Sequence, residues 1–286
     1  MANQKDDETG NPQNLDFYDI DASTTVGDTA RKLLHEYSKI PSEQIDEHVE
    51  TIRKQAFEIF PYPCIGMFRF LDLSIPTTPI YSEVLERLKN GDKLLDLGCC
   101  FGQEIRKLIF DGAPAENLVG SDLEADFISL GYDLFKDKNS LTTRFIPADV
   151  FDDSSPLWSL NGTFSMIYCG AFFHLFNYDQ QVAIALRVVK LLAPKSGSLL
   201  MGRQVGNINP SDYDKSGYGK EKSRYRHNPE SWKKLWEEVG EKTDTKWDVD
   251  VTVDPMQWGM VGPEVKLTER RAETGATRIH FIVRRL

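Results

Sequence analysis

Apolar residues recur along this chain in two rhythms. Ile45, Val49, Ile52, Ala56 and Ile59 fall at steps of four and three, which puts them on one face of an α-helix. Residues 28–39 carry an earlier helical pattern. Ser42 stands where an N-cap would stand, and Pro61-Tyr62-Pro63-Cys64-Ile65-Gly66 ends the stripe. Thr78 or Pro79 opens a further helix over 80–88, closed by Asn90-Gly91. From Lys93 the rhythm changes. Short apolar runs at 93–97, 117–121, 143–147, 164–168 and 198–203 alternate with helical patterns at 103–111, 127–135 and 180–192. Such alternation predicts a parallel sheet with helices on both faces. Asn228-Pro229 then starts a helix bearing Trp232, Leu235, Trp236 and Val239. Residues 247–253 and 277–283 read as two late strands that give the sheet an antiparallel C-terminal edge.

The same pattern divides the chain. Residues 1–27 form an N-terminal arm whose first part is too polar to fold alone, with Leu15-Asp16-Phe17-Tyr18 as a candidate strap. Residues 28–91 form a helical cap and 92–286 a Rossmann-like α/β domain. The polar connection at 206–228, with Tyr213, Tyr218 and Tyr225, is long enough to act as a loop or lid. The stripe at 45–59 must be buried, within the chain or across a homodimer.

Composition narrows the partners. The chain has 286 residues and a net charge of -10, which argues against a broad nucleic-acid footprint. The basic stretch at 220–226 is short and interrupted by Glu221. Cys64, Cys99, Cys100 and Cys169 have the spacing of neither a disulfide framework nor a zinc site, so a reducing, cytoplasmic setting and no metal are expected. No run approaches the roughly 20 apolar residues that cross a bilayer, and the first residues lack a secretory core.

Residues 94–102, Leu94-Leu95-Asp96-Leu97-Gly98-Cys99-Cys100-Phe101-Gly102, carry the chemistry. A buried strand ends in an acid, and a glycine turn leads into a helix. A dinucleotide fingerprint would place glycines at 98, 100 and 103, where the chain has Gly98, Cys100 and Gln103. An acid at the strand end suits a cationic ligand, which favours S-adenosylmethionine over a phosphate-bearing nucleotide. Three more strand ends follow in order. Asp122, with Leu123, could accept from ribose hydroxyls, and Asp149, with Val150, could take the adenine amine and ring. Cys169-Gly170 could hold a cationic amine on backbone carbonyls. Each acid alone is as well explained as a turn or cap residue; their sequence along the strand ends is the stronger signal. Past the fourth strand, Phe172 and Phe173 could wall an acceptor site, His174 could face the acceptor or act as a base, and Arg203 could pair an acceptor carboxylate.

Four segments, 61–66, 95–103, Asp111-Gly112-Ala113-Pro114 and Phe173-His174-Leu175-Phe176, resemble the fungal S-adenosylmethionine-dependent methyltransferases of meroterpenoid pathways. The similarity runs from about residue 30 to the Trp258-Gly259-Met260 region. The resemblance implies a class I methyltransferase fold and methyl transfer to a polyketide–terpenoid small molecule, often on a carboxyl oxygen. It also implies cofactor contacts at Asp122-Leu123 and Asp149-Val150. Cys100 stands where the wider superfamily usually has a third glycine. Direct in-line transfer to a carboxylate needs no base, whereas a phenol would call on His174. A noncatalytic cofactor-binding partner and an NAD(P)-dependent oxidoreductase are the alternatives.

Overall fold

A computed structural model of the chain describes residues 20–213, 223–255 and 275–286. The strap at Leu15–Tyr18, Tyr218 and Trp258 lie outside the described residues. Four short helical segments lead in: α1 (Ala22–Thr25), α2 (Asp28–Lys32), α3 (Ile45–Ile59) and α4 (Pro63–Gly66). After α5 (Tyr81–Lys89) the alternation begins, with β1 (Leu94–Leu97), α6 (Gln103–Phe110), β2 (Leu118–Asp122), α7 (Ala125–Phe135) and β3 (Arg144–Pro147). It continues with β4 (Met166–Gly170), α8 (Tyr178–Leu191) and β5 (Leu199–Asn207). A small hairpin, β6 (Ser211–Tyr213) and β7 (Arg224–Arg226), precedes α9 (Pro229–Thr243), β8 (Trp247–Pro255) and β9 (Ala276–Arg285).

The main sheet has seven strands in the order β3-β2-β1-β4-β5-β9-β8. β1 to β5 run parallel, and β9 and β8 are antiparallel to their neighbours. The strand order reverses between β1 and β4, and this switch point opens the crevice in which α/β sheets bind ligands. Side-chain alternation sends Leu94, Met166, Tyr168, Leu199 and Met201 to one face, against α5 and α6. Leu95, Leu97, Ile167, Cys169, Leu200 and Phe281 go to the other, against α8 and α9. Asn177 and Asn228 start α8 and α9 with reciprocal capping boxes.

The helix expected over 28–39 stops at Lys32 and continues as a wider turn, Leu33–Tyr37. Ser42 does not cap α3; it opens a tight turn, Ser42–Gln44, and Gln44 precedes the helix without a side-chain cap bond. α5 packs on the sheet through Val84 and Leu88 rather than with α1 to α4. The connection after β5 is partly regular, because β5 runs on to Asn207 and the β6–β7 hairpin follows. The stripe of Ile45, Val49, Ile52 and Ala56 is buried within the chain, in a cluster shared with Phe127, Leu134 and Phe135 of α7, so its burial needs no second copy. No helix among the described residues is long and apolar enough to cross a membrane.

One contact joins the N-terminal helices to the glycine turn. Phe101, fully buried, meets Phe70 edge-on at 4.8 Å and Phe127 at 5.6 Å. Beneath it lies an ion pair that is almost wholly buried. Arg106 donates from Nε to Asp137 Oδ2 (2.7 Å) and from Nη2 to Oδ1 (2.9 Å), and the two side chains are 1% and 4% exposed. Nη1 of the same guanidinium donates to the carbonyl of Phe101 (2.7 Å), and Tyr37 Oη donates to Asp137 (2.8 Å). Removing one partner strands a buried charge. Asp137→Ala should therefore cost about 3–5 kcal/mol of unfolding free energy in urea titrations. A loss below about 1 kcal/mol, the scale of a surface pair, would contradict this reading.

Candidate functional site

The turn after β1 has backbone conformations that few residues adopt. Gly98 (φ 77°), Cys100 (φ 51°) and Gly102 (φ 64°) all lie in the left-handed region. Cys100 takes the shape a glycine would take at lower strain. Its N–H donates to Asp122 Oδ2 at 2.7 Å, while Glu124 N–H donates to Oδ1 at 3.0 Å. Asp122 thus ties the turn to the end of β2. Gly98 and Cys99 add bonds from their N–H groups to Ser121 O at 2.8 and 3.0 Å. Gly131 lets α7 approach, since a Cβ there would fall 2.3 Å from Phe101 O.

Asp96 is the unusual group. It is 2% exposed, and among the described residues its Oδ2 has no hydrogen-bond partner. Burial pushes its carboxyl well above the ordinary value, and the nearby acids Glu104 and Asp122 push the same way. Glu104 itself is occupied, accepting from Ser74 N–H (2.6 Å), Ser74 Oγ (2.8 Å) and Ile75 N–H (3.0 Å). Ser74 Oγ also bonds to Tyr168 Oη. Burial raises Asp122 as well, against the two N–H groups it accepts.

The structure brings the strand-end residues to one edge. Asp149, Asp122, Gly98 and Gly170 lie at or just past the ends of β3, β2, β1 and β4, which are neighbours in that order. Leu123 is 62% exposed beside the half-buried Asp122. Asp149 is exposed and accepts from Phe151 N–H at 2.8 Å, with Val150 buried next to it. The thiol groups of Cys99 and Cys169 are buried, so only their backbones can meet a ligand in the crevice. Phe172 covers Gly98 so closely that a Cβ there would meet its ring at 2.6 Å. Phe151, Phe176 and Phe172 form a row of edge-to-face contacts at 5.4 and 5.3 Å.

Phe173 is a correction. It is 0% exposed and packs against Trp232 (5.1 Å) and Phe281 (6.3 Å), so it has no free face for an acceptor. In this turn Phe172 points towards the crevice and Phe173 into the core. His174 sits half-buried in the same turn, Phe173–Leu175. Arg203 pairs across the register with Gly170 and approaches Asp72 at 3.7 Å. Sequence reasoning missed Arg106, Asp137, Glu104 and Ser74. Only Arg106 left a trace, as a basic residue one helical turn after Gly102.

Comparison with known proteins agrees with this geometry. A model described as the meroterpenoid methyltransferase N-terminal domain matches residues 17–71, and a methyltransferase-domain model matches 94–195. O-methyltransferase phiE of Fungal sp. (strain ATCC 74256) is 49% identical over 229 residues, 79% of this chain and 75% of that protein. Asnovolin E/Chermesin D methyltransferase nvfJ of Aspergillus novofumigatus is 47% identical over 230 residues, 79% of this chain and 81% of that one. The chain belongs to the fungal meroterpenoid methyltransferase family. Its fold is that of class I methyltransferases. A Burkholderia thailandensis 1,6-didemethyltoxoflavin-N1-methyltransferase superposes with a TM-score of 0.51 at 14% identity, covering 84% of this chain and 89% of that one. The methyltransferase uses S-adenosylmethionine and acts on a small molecule of secondary metabolism.

Asp96 provides a signed test. A carboxyl whose folded pKa lies above its unfolded one adds stability below the unfolded value, and that stability is lost as pH rises through the folded pKa. The unfolding free energy of Asp96→Asn, minus that of wild type without cofactor, should therefore grow by on the order of 1–3 kcal/mol between about pH 4 and pH 8. Denaturant melts across that range check it; a difference that stays flat would rule out the buried, unpaired carboxyl.

Proposed function

We propose that the crevice binds S-adenosylmethionine along the ends of β1 to β4 and that its methyl group passes to a carboxyl oxygen of a polyketide–terpenoid-type acid. The observation that carries this reading is the burial of the ionisable groups around the crevice. Asp96 is a buried carboxyl with no counter-charge, which fits a cationic amine. The thiols of Cys99, Cys100 and Cys169 and the Tyr168 phenol are pushed well above their ordinary values by burial, and Tyr62 is pushed up to about 12. At neutral pH these groups stay protonated, so none of them attacks as an anion or takes a proton. An acceptor that is already ionised suits such a site. A carboxylate is ionised at neutral pH and a phenol is not.

The residues present fit the cofactor. Asp96 and the backbone of Cys169 and Gly170 are assigned to the amine, and Asp122 to the ribose hydroxyls. Asp149 is assigned to the adenine amine, and Leu123 and Val150 to the faces of the ring. The turn of Gly98, Cys99 and Gly102 supplies backbone for close approach. When bound, the cofactor would supply a methyl carbon on a cationic sulfur, an electrophile that needs no further activation and that would leave a neutral thioether once the methyl had passed to the acceptor oxygen. The chain's own work is alignment and exclusion of water. Phe172 and Phe176 give the apolar wall, and His174 borders the acceptor. Transfer to oxygen is also the activity in the printed name of the phiE relative.

Isotopic label separates the outcomes. When cofactor carrying a labelled methyl group is incubated with a panel of prenylated hydroxybenzoic acids, the label should appear as an ester that mild alkali releases as methanol. His174→Ala should then lower turnover of those acids by less than about tenfold, since general base catalysis contributes at least about a hundredfold where it operates. Alkali-stable label in an aryl ether, lost with His174→Ala, would replace the carboxyl reading with the phenol one. No label in any product would favour a noncatalytic role.

A further inference from the structure

Three arginines from three distant parts of the chain meet beside the end of β4, where Arg203 pairs with Gly170. Arg69 lies in the tight turn Arg69–Leu71 of the N-terminal region, Arg203 in β5 and Arg278 in β9. β5 and β9 are paired, Arg203 opposite His280 and Val205 opposite Arg278, so Arg203, His280 and Arg278 share one face of the sheet. Asp72 ties the turn to this face, 2.9 Å from Arg69 Nε and 3.7 Å from Arg203 Nη2. Asp254 faces Arg278 in the register and lies 2.9 Å from His280 Nε2.

The charges do not balance. Among the described residues three guanidinium groups face two carboxylates, Asp72 and Asp254, and Asp254 also lies against the His280 imidazole. Among the described residues Arg278 makes neither a hydrogen bond nor a salt bridge, although it is half-buried. Burial pushes Arg278 below its ordinary value, the like charges of Arg203 and Arg69 push the same way, and the carboxylates of Asp72 and Asp254 oppose them without offsetting the shift. A guanidinium remains charged under such pressure. Burial also lowers His280, Asp254 opposes this, and Arg203 adds to it; a neutral imidazole supplies no further cation. The turn that brings Arg69 and Asp72 here is bracketed by two non-glycine residues in left-handed backbone, Phe68 (φ 55°) and Leu73 (φ 25°). Strain of this kind persists where the surroundings enforce it and gathers at ligand sites.

From this geometry we infer that Arg278, with Arg203 and Arg69, forms a seat for the acceptor's carboxylate, the group whose oxygen is methylated, so that the enzyme distinguishes its acid substrate from its neutral ester product by charge. The inference rests on the carboxyl reading above. Forked guanidinium groups match a carboxylate in shape and charge. A carboxylate here adds the negative charge that the acids of the described residues do not fully supply. Position favours the acceptor over the carboxylate of the cofactor's methionine part. The seat lies over β5 and β9, and β5 is two strands from β1, roughly 10 Å at ordinary strand spacing. Methylation removes the negative charge, so the product loses its hold on the seat.

Binding calorimetry with the full chain tests this, with S-adenosylhomocysteine bound first. The probes are a farnesylated dihydroxybenzoic acid and its preformed methyl ester. Wild type should bind the acid at least about tenfold more tightly than the ester, the scale of a desolvated charge pair. Arg278→Gln should abolish that preference, and Arg278→Lys should keep part of it. Affinity for S-adenosylhomocysteine should stay within about twofold in both variants, which also reports that they fold. Equal binding of acid and ester by wild type, no binding of either, or an unchanged preference in Arg278→Gln would overturn the seat. A loss of S-adenosylhomocysteine affinity with the acid preference intact would overturn it too, and would move the site to the cofactor's carboxylate. If the acid preference holds but labelled S-adenosylmethionine, supplied with the same acid in a separate turnover assay, puts its methyl group on the phenol, arginine recognition of the carboxylate stands and the carboxyl reading fails.

Discussion

The crevice exists because the turn after β1 is held in a shape that its sequence alone would not keep. Gly98, Cys100 and Gly102 occupy left-handed backbone, and Cys100 does so at a cost on the order of 1–2 kcal/mol. The buried Arg106–Asp137 pair carries that strain. It fixes the carbonyl of Phe101 from within the core, and Tyr37 anchors the same carboxylate from the N-terminal region. Asp122 grips the turn from the other side through the N–H of Cys100. The N-terminal helices are therefore part of the site's foundation, and Phe101 makes the two halves share one core.

Once the turn is fixed, the electrostatics follow. Asp96 is buried in β1, and among the described residues its Oδ2 finds no hydrogen-bond partner, which is what the proposed cation would supply. The thiols and phenols nearby are held neutral by the same burial. A site of this kind is poor at removing protons and good at positioning. That matches transfer of an already activated methyl group, and it explains how three reactive-looking cysteines can stand near a catalytic crevice without taking part.

Much of this was legible in the chain itself. The strands announced themselves as apolar runs because both faces of a parallel sheet are covered, and the acids at 96, 122 and 149 marked the ends of three of them. The turn residues were visible as glycines. What could not be read was what the topology brings together. Arg106 and Asp137 are separated by a strand and a helix, and Arg69, Arg203 and Arg278 come from opposite ends of the chain; no local pattern links them. Phe172 and Phe173 look interchangeable in the sequence. The left-handed Ala171 before them (φ 54°) turns the backbone, leaving one ring in the crevice and the other in the core. Ser42 misled because a good capping residue beside a helix can serve a preceding turn instead.

The central claim is that Asp96 waits, protonated more readily than an ordinary carboxyl, for the cationic amine of the cofactor. Calorimetry of S-adenosylmethionine binding in two buffers of different ionisation heat, at about pH 6 where that amine is fully charged, measures it directly. The account predicts net release of protons to the buffer in wild type and none from that source in Asp96→Asn. Net proton uptake by wild type, or release that is identical in the two proteins, would contradict it.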